Sequence, residues 1–211
     1  MLGDLVEVIT RPRPFFRKLQ EDDGVVTRAF QVVLLIAAVS AVVGYFTALP
    51  TADAFAGTLL GGATLITAPL TAALLTFLSW LIYGLLVRVA AGTAVKPWAI
   101  TAYAMSPQIV IYALIIGVAV LFPVDVSPVA ADLSQTEAVQ EATLQVQRDI
   151  QASTFGRVSG VLNLVATLWW LGLIFVGVRA AAGTTRAFLS AGLVAALSLG
   201  LVLVPLLLTP F

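Results

Sequence analysis

The 211-residue chain contains no cysteine and no histidine. Their absence removes disulfides, thiol chemistry, imidazole bases and nearly every transition-metal site at once, so no metal and no cofactor is expected. Charge is scarce as well, at 10% of residues against the roughly one quarter usual for soluble proteins. Between Ala29 and Val87 the only charged side chain is Asp53. An Asp, Lys or Arg at the centre of an inserting helix costs about 2.5 to 3.5 kcal/mol, so the few charges mark where a membrane stops. The formal net charge is zero, with no basic cluster beyond a short N-terminal group, which argues against nucleic acid as a partner. The partner that composition implies is the lipid bilayer. The first long apolar run begins only at Ala29, behind a charge-rich segment, and reads as a retained anchor rather than a cleaved signal.

Apolar runs able to cross about 30 Å of hydrocarbon at 1.5 Å per residue lie near residues 29–49, 64–87, 97–122, 158–178 and 187–208. The predicted fold is therefore all-α: a polytopic membrane helix bundle of five transmembrane helices, with interfacial helices beside them. Residues 1–28 form a cytoplasmic amphipathic segment, and residues 29–211 the transmembrane domain with an external loop at 123–156. Residues 54–63, which contain Gly61-Gly62 and precede Pro69, are predicted to be interfacial or re-entrant.

Lys and Arg set the orientation. Arg11, Arg13, Arg17, Lys18, Arg28, Arg88, Lys96, Arg179 and Arg186 fall on one side, and only Arg148 and Arg157 on the other. This places the N-terminus in the cytoplasm and Phe211 outside. The external loop is net acidic through Asp125, Asp132, Glu137, Glu141 and Asp149. Within it Ser134-x-x-Glu137 is a capping-box pattern, and Val139, Ala142, Val146 and Ile150 fall on one face of the helix that should follow. At the N-terminus, Phe15, Phe16 and Leu19 interleave with Arg17 and Lys18. That pattern suits either the headgroup region of an anionic leaflet or a solvated cap on the bundle.

Two cytoplasmic turns repeat. Val87-Arg88-Val89-Ala90-Ala91-Gly92-Thr93 and Val178-Arg179-Ala180-Ala181-Ala182-Gly183-Thr184 agree at six of seven positions. In each, Arg faces the negative end of a helix, Gly supplies a left-handed residue after it, and Thr can cap the next helix; Arg186 follows the second turn. The helix pairs they join are candidates for a parallel repeat.

On the fourth span Gly156, Ser159, Gly160, Asn163 and Thr167 share one narrow face at helical spacing, which is expected to be buried for helix packing. Gly192, Ala196 and Gly200 form a second small-residue stripe on the fifth. In the third span, Pro107 removes a backbone donor and frees the carbonyl of Tyr103, so a kink is expected there, with Ser106, Gln108 or water satisfying what is freed. Tyr103, Ser106, Pro107, Gln108, Ser159, Asn163 and Thr167 are the candidate polar pocket or hinge, and Gln108 and Asn163 are the two amides expected inside the bundle.

The opening Thr10-Arg11-Pro12-Arg13-Pro14-Phe15-Phe16-Arg17-Lys18-Leu19, the Tyr103-x-x-x-Pro107 element and the Trp170 to Arg186 stretch ending in Gly183-x-x-Arg186-Ala187 resemble the Yip1 family, in a prokaryotic member. In its eukaryotic branch the resemblance implies a secretory-pathway membrane protein that contacts Rab GTPases and partner Yip proteins through its cytoplasmic part. Here that part is confined to residues 1–28. The resemblance implies no catalytic residue.

Composition also bears on activity. Without His there is no His-Glu-x-x-His site and no Ser-His dyad, and no carboxylate lies clearly within a span to make an acid pair or hold a metal. No enzyme is expected. Two readings stay open: a membrane scaffold or organiser acting through helix packing and its cytoplasmic face, as a homo-oligomer or with a membrane protein partner, or a small transporter, channel or lipid-handling protein for a neutral or lipid-like solute. The expected location is a prokaryotic cell membrane.

Overall fold

The computed structural model describes the backbone of residues 2–129 and 136–208, and the side chains of 3–93, 95–129 and 137–198. Ser134, Asp132, Phe211 and the surroundings of Gly200 lie outside what is described. Among the described residues every regular element is helical: α1 (Leu2–Thr10), α2 (Pro12–Glu21), α3 (Val25–Ala54), α4 (Leu59–Ala91), a short 3-10 turn (Gly92–Ala94), α5 (Pro97–Ala104), α6 (Pro107–Leu121), α7 (Thr136–Ala152), α8 (Thr154–Ala182) and α9 (Thr184–Leu208).

By length and composition α3, α4, the α5–α6 stretch Pro97–Leu121 and α8 can each cross a membrane. The 25-residue α9 covers the fifth predicted span. Hydrophobic side chains point outward along these helices; on α4, Leu70, Leu74, Leu78, Leu81 and Leu85 are all exposed. Such an apolar exterior is stable only against lipid or another apolar surface. The fold is a polytopic helical bundle.

The chain divides into two compact units: Met1–Ile36 with Phe77–Gln108 and Thr167–Phe211, and Ala37–Thr76 with Ile109–Ala166. In the second unit, α3 and α4 approach closely at Gly44, where an added Cβ would lie 2.9 Å from the Ala68 carbonyl oxygen and 3.1 Å from Pro69 Cα. Ser40 Oγ donates to the Ala72 carbonyl at 3.2 Å one turn away. Small residues allow this approach, and the hydroxyl gains a partner that lipid cannot offer.

Residues 54–63 comprise the last residue of α3, the turn that follows it and the first residues of α4. Thr58 caps α4: its Oγ1 accepts from the Gly61 amide at 3.3 Å and donates to the Phe55 carbonyl at 2.7 Å. Gly61 is needed because a Cβ there would strike the Phe55 and Ala52 carbonyls at 2.6 and 2.9 Å. Gly61 therefore serves close packing, Gly62 has open space beside it, and α4 runs on through Pro69. The start of α8 repeats the device. Ser153 Oγ accepts from the Gly156 amide at 3.1 Å, and a Cβ on Gly156 would collide with the Ile150 carbonyl.

The predicted helix of the external loop is α7. Its Val146 is buried with Ala54, Phe55 and Val126, and Ala142 and Ile150 pack against them. The extended segment before it is tied down by a hydrogen bond from the Val129 amide to the Ala54 carbonyl at 2.8 Å.

Candidate functional site

The third span is broken between α5 and α6 because Pro107 has no amide hydrogen to continue the ladder. The Tyr103 carbonyl that loses this donor accepts instead from Ser106, through Oγ at 2.6 Å and the amide at 3.1 Å. Tyr103, Ser106 and Pro107 are all buried. Gln108, just past the break, buries its Oε1 without a hydrogen-bond partner. The Tyr103 hydroxyl donates to Asp4 Oδ2 at 3.1 Å, and its ring meets Phe15 edge-on at 4.8 Å between centroids.

Those contacts belong to a cap built by α1 and α2. Prolines at 12 and 14 place a rigid start on α2, and the helical period then turns Phe15, Phe16 and Leu19 inward with Leu5 and Val8 of α1. Phe16 sits at Gly177 of α8, where a Cβ would lie 3.2 Å from its ring and 2.8 Å from Ile100 Cγ2. Ionic contacts fasten the rim: Lys18 with Glu7 at 2.8 Å, Arg28 with Asp22, and Lys96 Nζ donating to the Asp22 carbonyl at 2.8 Å. The Lys96 amide donates to Gln20 Oε1 at 3.2 Å. The apolar face of this segment is buried on the chain's own helices.

Removing one hydroxyl tests the cap. Tyr103→Phe keeps the ring on Phe15 and deletes a hydrogen bond to a carboxylate, the kind that contributes about 1.5 kcal/mol or more. Amide exchange in α1 is expected to accelerate roughly ten-fold, with exchange in α4 unchanged; equal rates in both variants would show that the bond holds nothing.

The two repeated turns have matching backbones. Gly92 and Gly183 carry φ of 75° and 86°, the left-handed region where Gly is least strained. Val87 and Val178 are fully buried, while Arg88 and Arg179 are exposed. Arg186 joins the turns directly, its Nη1 donating to the Ala91 carbonyl at 3.2 Å. That carbonyl is one of the last of α4, which a helix leaves without an internal partner.

The predicted small-residue face of α8 is not uniformly buried. Ser159 is buried, its hydroxyl without a partner, and Gly156 and Thr167 are half-buried, but Gly160 and Asn163 are exposed. Asn163 is thus on the outside of the folded chain. The buried stripe of α8 runs instead through Phe155, Ser159, Ala166, Trp170, Ile174 and Val178, rotated by roughly 40° at 100° per residue. The large rings decide the rotation: Trp170 packs on Tyr83 with centroids 4.6 Å apart, a gain of contact that the small residues cannot match. On α9, Gly192 and Ala196 are likewise exposed, with open space beside Gly192.

Asp4, Asp22, Gln20 and Gly177 were not among the residues singled out in the sequence. Asp4 and Asp22 flank amphipathic stretches and look like solvated charges there; only their partners across the fold give them a role. Among the described residues no group of acidic side chains could hold a metal ion.

No curated protein and no solved structure matches the chain. The Yip1 domain family model matches residues 6–208, a stretch that takes in the second half of α1, all of α2, the broken third span and both repeated turns. This multi-pass membrane protein belongs to the Yip1 family.

Proposed function

We propose that the chain is a non-enzymatic membrane scaffold or organiser in a prokaryotic cell membrane, with its N-terminus in the cytoplasm. The observation that carries this reading is the cap. Its apolar face is spent on the chain's own membrane helices, and Arg11, Arg13, Arg17 and Lys18 are left exposed. A rigid, charged platform held against a bundle presents a surface to partners without needing a moving part. The exposed Gly160 and Gly192 offer helix faces on which a second copy or another membrane protein can pack closely.

One feature of the third span favours a second function, movement of a neutral or lipid-like solute. Gln108 Oε1 is buried beside a helix break without a hydrogen-bond partner, as in helices that line a polar path.

Reconstitution separates the two. Vesicles containing the protein are expected to pass glycerol and a labelled phospholipid no faster than protein-free vesicles, and a Gly160→Cys variant is expected to form disulfide-linked dimers on mild oxidation, a clean readout because the natural chain has no Cys. Flux that falls to the protein-free rate in Gln108→Leu, together with monomeric Gly160→Cys, would replace the scaffold by a carrier.

A further inference from the structure

We infer that α2 and the end of α8 form a binding site for the phosphate of an anionic phospholipid headgroup. A cavity of about 200 Å³ is lined there by Arg13, Arg17, Phe175, Val176, Arg179 and Ala180. Three guanidinium groups border it and no carboxylate does. Elsewhere on the cap Lys18 is matched by Glu7 and Arg28 by Asp22. Among the described residues Arg13, Arg17 and Arg179 have no ion pair. Glu21, one turn beyond Arg17, lines an adjoining cavity without pairing with it.

The charges are placed against local electrostatics. Arg13 and Arg17 stand four residues apart on one helix, where like charges repel. Arg13 also sits in the first turn of α2, which holds no acidic residue, at the positive end of the helix dipole. Pro12 and Pro14 lack amide hydrogens, so this terminus can draw an anion through its guanidinium groups but hardly through its backbone. Arg179 has a local reason, since it lies in the last turn of α8 where a cation is favoured; the other two have none. An anion seated among the three relieves each mismatch, and the planar fork of Arg suits phosphate oxygens.

Depth selects the source of the phosphate. Arg179 and Ala180 lie in the terminal turn of a helix that composition marks as a span, and Phe175 lies one turn deeper. The cavity therefore has a cationic mouth and an apolar floor at the level where lipid headgroups meet acyl chains. Free phosphate shares the charge but has nothing to place on Phe175 and Val176. The site does not depend on whether the chain acts as a scaffold or a carrier.

The full-length protein, purified in an uncharged detergent, is titrated with mixed micelles containing labelled phosphatidic acid or phosphatidylcholine. Saturable binding of phosphatidic acid near one per chain is expected, with little retention of phosphatidylcholine. Each Arg→Gln change at 13, 17 or 179 should weaken binding roughly five-fold, and the triple variant on the order of 100-fold. Lys18→Gln, on the same helix but paired elsewhere, should stay within about two-fold of wild type. If the triple variant melts early, Arg17→Gln alone reads the loss. Equal retention of both lipids, or unchanged binding by the Gln variants, overturns the site; displacement of bound lipid by millimolar inorganic phosphate overturns its assignment to a lipid.

Discussion

Phe16→Ala will release the N-terminal helices from the bundle while the membrane helices stay folded. The Phe16 ring is fully buried, and truncating such a ring costs about 3 to 5 kcal/mol because the site refills only in part. Refilling is hindered here by Gly177, which contributes no side chain to move into the gap. Phe15 on Tyr103 and the buried Leu19 remain, but they do not replace the ring at Gly177, and the rim ion pairs contribute at most about 1 kcal/mol each, so α2 is held much more weakly. Limited proteolysis should cut between Arg11 and Lys18 at least ten-fold faster than in wild type, with thermal unfolding of the bundle little changed. If cleavage stays at the wild-type rate, Phe16 does not anchor the cap. A drop in the main unfolding transition would instead mean that cap and bundle unfold together.

Gly44→Leu is expected to have the largest effect within the membrane. Even the first carbon of a new side chain would press on the Ala68 carbonyl and Pro69 Cα, and both are backbone atoms that cannot rotate aside. Overpacking commonly costs about 1 to 3 kcal/mol and more where nothing yields, and forcing the helices apart also breaks the Ser40 to Ala72 hydrogen bond. The expected result is a clear fall in the midpoint of denaturant unfolding in detergent, followed by tryptophan fluorescence. Gly62→Leu is the matched control, because nothing lies within 4 Å of a Cβ at that position. Equal midpoints for the two variants would show that α3 and α4 can separate at no cost.

These sites differ in how far they can be read from the chain. The Tyr103 carbonyl and Ser106 lie within one turn of Pro107, so the rearrangement there follows from local covalent geometry. Gly92 and Gly183 stand at helix ends whose Arg, Ala and Gly pattern is itself local. Gly61 and Gly156 mislead a linear reading, because their purpose is the carbonyl of a preceding helix that packs against them.

By itself the sequence determined the solvent of this protein, the membrane segments and the places where helices break or turn, since transfer energy and backbone geometry act over a few residues. Which face of each membrane helix looks inward was left to the tertiary structure. Lipid is as apolar as a protein interior, so hydropathy carries no signal for rotation about a helix axis, and α8 settled with Trp170 inside and Asn163 outside through ring packing. The gathering of Arg13, Arg17 and Arg179 around one cavity is likewise a product of the fold, because more than 160 residues separate α2 from the end of α8 and the docking of Phe16 at Gly177 holds them side by side.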